Sequence, residues 1–280
     1  MISNRRLLLI RFWHNRMLLA GSVVVLVFLV MAIFAPYLTG YDPNKRDIRH
    51  RFASPSIEHF MGTDQLGRDI LTRIMYGARI SLQVGLLSVV IGMCGGLIIG
   101  AIGGYVGGLL DNLLMRIMDG FLAFPPLLLA IGLVAAAGPS LTNVSVVIGV
   151  VYIPRFARVM RSSVLAEREK EYVEAARAVG QSSFKILFKH IGPNTLSPII
   201  VLATIIFALA IIIEASLSFL GVGVPPPAPS WGTMLDEGRR YMSNSGWLPV
   251  WPGLAISLTV LGFNLFGDGL RDYLDPKIYR

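Results

Sequence analysis

The 280-residue sequence has a single cysteine, Cys94, and only four histidines, His14, His50, His59 and His190. One cysteine cannot close an internal disulfide or supply a thiolate metal cluster. The histidines are scattered, with no H-E-x-x-H pair, so no metal site is expected. No G-x-x-x-x-G-K-[ST] phosphate loop occurs, which excludes P-loop ATP hydrolysis by this chain. No G-x-S-x-G nucleophile elbow occurs either. Ser182-Ser183-Phe184-Lys185 matches S-x-x-K, but its companion motifs are missing. Charge is also scarce, at 15% of residues against roughly 25% in ordinary soluble domains. That shortage argues against a soluble enzyme. Hydrophobic residues make up 54% of the chain, which excludes disorder.

Long apolar runs are abundant instead. A membrane span needs about 20 mostly apolar residues. Residues 17–35, 82–102, 121–137, 198–220 and 251–266 read as spans. Residues 144–154 make another only if the helix continues through Arg158 and Arg161, whose long stems can snorkel. The expectation is an all-α polytopic membrane bundle of about six helices. The first run is longer than a signal-peptide core and reads as a retained anchor.

With six spans both termini share one side. That side carries sixteen Lys and Arg, including Arg5, Arg6, Arg11 and Arg16, against nine on the other. The net charge of +8 therefore reads as positive-inside bias, with cytoplasmic termini. The expected organisation is 1–79 (tail, first span and extracytoplasmic segment), 80–270 (core with a cytoplasmic loop at 162–193) and 271–280 (tail).

Several residues stand out within the spans. Gly92, Gly96, Gly100 and Gly104 recur every four residues, as in stripes where helix backbones approach closely. Glu214 interrupts an apolar run, and a carboxylate there must face protein or a water-filled cavity. It is either a pathway or gate residue or a structural hydrogen-bonding group. Arg116 and Asp119 stand three apart, the spacing of a local pair. Pro125-Pro126 breaks the third span, a feature tolerated where freed backbone groups are satisfied again, often along a cavity. Asp119, Pro125 and Glu214 are the candidate pathway residues.

The most informative stretch is 167–193. Its first part is helix-forming, with Tyr172, Val173, Ala176 and Val179 at near-helical spacing. Gly180 permits a turn. A second short helix over 182–190 offers Phe184, Leu187 and Phe188 as apolar anchors, closed by Gly192-Pro193. Such a helix–turn–helix suits a groove on a partner protein, a lipid surface or internal packing.

Within this stretch, Glu174-Ala175-Ala176, then Gly180, Ile191 and Pro193, stand in the register of the EAA loop. The chain thereby resembles the permease subunits of ABC importers. Gly192 replaces the usual leucine before the proline. It also resembles the C-type subunit of the dipeptide/oligopeptide/nickel branch, through Gly62-Thr63-Asp64-Gln65-Leu66-Gly67-Arg68-Asp69, Tyr76-Gly77-Ala78-Arg79-Ile80-Ser81-Leu82, Ser218-Phe219-Leu220-Gly221-Val222-Gly223 and Pro229-Ser230-Trp231-Gly232.

The resemblance implies a type I importer fold and a non-catalytic subunit forming half of a pathway for di- or oligopeptides. Nickel chelates, glutathione and opines are the alternative solutes. It implies a second permease subunit, two ATP-binding subunits that hold ATP and Mg, and an extracytoplasmic solute-binding protein. Glu174, Ala175, Ala176, Gly180, Phe184, Ile191 and Pro193 would then couple the permease to the ATPases. A passive channel would not need that loop. An intramembrane enzyme would need a convergent polar set that the sequence does not display.

Overall fold

The computed structural model describes residue 13 and residues 15–274. Of the basic tails, Arg5, Arg6, Arg11, Lys277 and Arg280 lie outside the described residues, as does His14. Helices dominate the described residues, apart from a mostly irregular segment over 39–69. α1 spans Arg16–Leu38, α2 Ile70–Val106, α3 Gly108–Leu122, α4 Pro126–Ala137, α5 Leu141–Arg168 and α6 Glu171–Ala178. α7 runs over Ser183–Phe219, α8 over Trp231–Arg240 and α9 over Trp247–Leu274. α1, α2, α5, α7 and α9 are each long and apolar enough to cross a membrane.

Polar side chains set the helix starts. The Asn15 side chain accepts from Leu18 N at 3.0 Å, and Asp69 from Thr72 N at 2.7 Å. Ser140 accepts from Asn143 N, and Ser230 and Thr233 form a reciprocal capping box. Each satisfies an orphan donor of a first turn. At the other end of α2, the chain turns through Gly107 and Gly108, both at positive φ.

The spans differ from the sequence reading in three places. The expected third span is two helices, α3 and α4, bent by 90° at a break of no more than four residues. Pro126 opens α4, where its missing N–H costs nothing. Residues 103–120, between the expected second and third spans, are also helical, forming the end of α2 and most of α3. Finally, Gly192-Pro193 does not close a short helix. Residues Ile186–Ile191 are π-wound and lead directly into the span. Gly192 itself is right-handed helical, so this winding carries the helix across a proline that offers no N–H.

The core lies between α2 and α5. An added Cβ at Gly96 would stand 2.2 Å from Phe156 Cβ, and one at Gly100 2.3 Å from Ala157 O. Gly92 and Gly104 have somewhat more room, at 3.0 Å from Gly149 O and 2.9 Å from Arg161 O. This contact requires small residues on α2. α1 packs on α9, where Gly21 faces the Phe266 backbone and Gly269 faces Leu18. The opposite face of α1, including Val23, Leu26, Val30 and Ile33, is exposed and apolar, as a lipid-facing surface is. Asn15 Nδ2 donates to Gly269 O at 3.1 Å, so the two described chain ends lie together.

Candidate functional site

Two regions, at opposite ends of α2, gather the residues singled out above. The first lies where α2 begins. Gly62–Asp69 forms a tight turn closed by an antiparallel bridge between Thr63 and Asp69. Gly67 has φ +71°, and a Cβ there would meet Asp47 O at 1.7 Å, so both backbone sign and space require glycine.

The turn aims Asp64 inward. Its carboxylate accepts from Leu66 N, Arg68 N, Arg68 Nε at 2.6 Å and Arg73 Nη1. Arg68 Nη2 and Arg73 Nη1 each also donate to Glu237 Oε2 of α8 at 2.9 Å. Two buried cations thus meet two carboxylates, joining the turn, α2 and α8. Charges buried this way persist only when paired and hydrogen-bonded.

Deeper along the same helices, Glu214 of α7 is 0% exposed. Ser81 of α2 donates to its Oε2 at 3.0 Å and Ser218 to its Oε1 at 2.9 Å. Ser230, the cap of α8, donates to Ser218 Oγ at 3.4 Å. Beside it, buried Trp231 donates to Ile74 O at 3.0 Å and packs edge-on against Phe28. Glu214 is therefore enclosed by hydroxyl groups inside the protein.

The second region lies where α2 ends. α6 buries Val173 and Ala176, whereas Glu174 and Ala175 are exposed. Tyr172 and Val179 are exposed too, so the buried stripe is narrower than the spacing suggested. Gly180 ends the helix at φ +75°, with open space around its Cβ position. Its N–H donates to Arg177 O, and Gln181 N–H to Ala176 O.

Ile186 and Ile191 are the buried anchors of the following segment. Phe184 and Phe188 are 72% and 62% exposed, with ring centroids 4.4 Å apart. With Leu187, Pro193 and residues of α2 they line an apolar groove of about 580 Å³. The segment is tied down at its base. The Tyr172 hydroxyl donates to the Glu167 carboxylate and accepts from Asn194 Nδ2 at 3.0 Å, and His190 Nε2 pairs with Gln181 Oε1 at 2.8 Å. Burial, and then the bond to Glu167, pushes the Tyr172 phenol above its ordinary pKa.

Between the two regions, Asp119 is exposed on α3. It pairs with Arg158 at 2.6 Å, not with Arg116. A cross-helix guanidinium thus replaces the expected local pair. Asp111 takes both Arg161 Nε and Nη2 at 2.6 Å. Pro125 is exposed at the α3–α4 break. No group of three or more His, Cys, Asp or Glu that could hold a metal occurs among the described residues.

Five helices long enough to span, a bent pair that can make a sixth and a helical segment displayed at one end define a multi-pass membrane protein. Residues 96–280 match the model of the binding-protein-dependent transport system inner membrane component, and residues 3–55 that of the N-terminal TM domain of oligopeptide transport permease C. The chain belongs to this family of ABC importer permeases, a family of inner-membrane transport proteins rather than enzymes.

It is 47% identical over 264 residues to the dipeptide transport system permease protein DppC of Alkalihalophilus pseudofirmus, covering 94% of this chain and 87% of that protein. It is 42% identical to the di/tripeptide transport system permease protein DppC of Pseudomonas aeruginosa, covering 95% and 90%. It is 45% identical to the glutathione transport system permease protein GsiD of Escherichia coli, covering 96% and 89%.

Proposed function

We propose that the chain forms one half of the pathway of an ATP-driven importer for di- or oligopeptides. The displayed helix pair 171–191 carries this reading: an exposed apolar and charged surface on a rigid base, at the end of the bundle where both described chain ends lie. Its natural occupant is a nucleotide-binding subunit. Glu174, Ala175, Ala176, Gly180 and Phe184 present that surface, and Ile191 and Pro193 join it to α7.

A second permease subunit completes the pathway, two ATP-binding subunits supply the energy, and an extracytoplasmic binding protein delivers the solute to the Asp64–Glu237 end. The termini then lie in the cytoplasm. The helical bundle from 80 to 270, with its loop at 162–193, is the translocating unit, preceded by an anchor and outer segment at 1–79 and followed by a tail at 271–280. Asp119 and Pro125 flank the pathway at the bent span, and Glu214 governs how α7 meets α2.

The peptide reading draws on relatives named for dipeptides and di/tripeptides. Glutathione, itself a small peptide, is the second reading, drawn from GsiD. ATP-dependent uptake of a labelled dipeptide into proteoliposomes holding the full complex tests the proposal. Uptake of glutathione but not of the dipeptide would select the second reading. Solute flux through this chain without ATP or partners would overturn both.

A further inference from the structure

Helix α6 is short, and of its side chains only Val173 and Ala176 are buried. Apolar burial is non-directional, and packed helices slide past one another by small shears. Two small apolar side chains therefore do not fix how α6 is turned against its neighbours. Directional bonds have to do that.

Among the described residues, Tyr172 is the one side chain of α6 that forms hydrogen bonds. Its hydroxyl donates to Glu167 Oε2, in the last turn of α5, and accepts from Asn194 Nδ2 of α7 at 3.0 Å. A phenol has one proton to give and lone pairs to receive with, so both bonds form at once. The raised phenol pKa keeps that proton in place. Each partner is itself held. Glu167 Oε1 accepts from Lys170 Nζ, and Asn194 Nδ2 also donates to His190 O at 3.0 Å. Three helices thus meet on one oxygen atom. Two of them lead into the bundle: α5 packs on α2 along the glycine stripe, and α7 reaches α2 through Glu214 and Ser81.

We propose that the Tyr172 hydroxyl is the joint that makes α6 move as one body with α5 and α7, so that force on the displayed helix reaches both spans together. Tyr172 is a positioning residue, acting through Glu167 and Asn194. The inference rests on the permease reading above and names the side chain through which docking reaches the bundle.

The test uses the complete importer. Tyr172→Phe removes the hydroxyl and keeps the ring. Asn194 is exposed and Glu167 retains Lys170, so no buried polar group is stranded. The chain's unfolding temperature and its retention of ATP-binding subunits should stay near wild type. In proteoliposomes, solute taken up per ATP hydrolysed should fall about fivefold or more, the scale of a lost hydrogen bond to a charged group. Asn194→Ala should act likewise, and the double variant should fall no further than either single one, because both remove the same bond.

A second readout is independent of the solute. Because Cys94 is the sole cysteine, Cys94→Ser gives a background for paired spin labels. Ala178→Cys on α6 pairs with Ser162→Cys on α5 or with Ile200→Cys on α7, all at exposed positions. Both label distances should be the same with and without ATP when Tyr172 is present, and should change on ATP addition in Tyr172→Phe.

Distances that shift with ATP in the presence of Tyr172, or that stay fixed in Tyr172→Phe, would overturn the proposal. Wild-type uptake per ATP in Tyr172→Phe would overturn it too. A lowered unfolding temperature would make the bond merely structural, and loss of the ATP-binding subunits would make Tyr172 part of the docking surface; either replaces the joint. If the wild-type importer takes up neither dipeptide nor glutathione, the permease reading fails by itself, and the label distances still decide whether Tyr172 joins the three helices.

Discussion

The two ends of α2 are built on opposite principles. At the Asp64–Glu237 end, charged and hydroxyl groups are buried and paired. Arg73 is 3% exposed and Glu214 0%. Polar groups there hold elements together, because each would be expensive to leave unpartnered. At the 171–191 end, large apolar rings are displayed, and the buried side chains that anchor the segment are the apolar Ile186, Ile191, Val173 and Ala176. Changes at the first end should act through folding. Changes at the second should act through partners, with the chain itself intact.

The sharpest way to break this contrast is to open the buried cluster. Asp64→Ala leaves two buried guanidinium groups with one shared acceptor and should cost about 3–5 kcal/mol. Thermal unfolding in detergent should show a large loss, with membrane yield falling in parallel.

Overpacking the α2–α5 seam comes next. Gly96→Leu places a branched side chain where even a Cβ meets Phe156 at 2.2 Å. It should destabilise by at least about 1–3 kcal/mol, read in the same unfolding assay.

At the displayed end, a Cβ at Gly180 would meet no neighbour, so Gly180→Val acts through the backbone. It forces a branched residue to a positive φ at a local cost of about 1–2 kcal/mol, which re-aims the segment after the turn. The chain should stay folded while ATP-dependent uptake drops sharply.

Phe184→Ser should be smallest in stability, within about 0.5 kcal/mol, because the ring is mostly solvent-facing. It should still weaken retention of the ATP-binding subunits during purification. If Phe184→Ser unfolded the chain as Asp64→Ala does, the contrast between the ends would not hold.

Much of the bundle was legible because apolar length is a strong signal. The extension of the 144–154 run through Arg158 and Arg161 into one helix follows from their long stems, and the break at Pro125-Pro126 from missing N–H groups. The 90° bend at that break was not legible, since its angle depends on how α4 packs against α5. The continuity of α7 through Gly192-Pro193 was hidden for a different reason. Both residues signal a stop, and only π-winding over Ile186–Ile191 carries the chain past them.

The buried cluster was missed because Arg73 and Glu237 are 164 positions apart, so pairing them is a tertiary event. Part of it had a local signal: Asp64 and Arg68 stand four apart within the turn. Ser218, four residues after Glu214, was likewise a visible helical neighbour of the buried carboxylate. The exposure of Phe184 could not be read from sequence, where an aromatic at that spacing serves equally as core or as docking surface.

The most direct test of the displayed end purifies the importer through this chain, wild-type or Gly180→Val, and quantifies the ATP-binding subunits retained alongside the chain's own unfolding temperature. The account predicts that Gly180→Val keeps a near wild-type unfolding temperature but loses most of the retained ATP-binding subunits or most of the uptake driven per ATP. Wild-type retention together with wild-type uptake per ATP would contradict it.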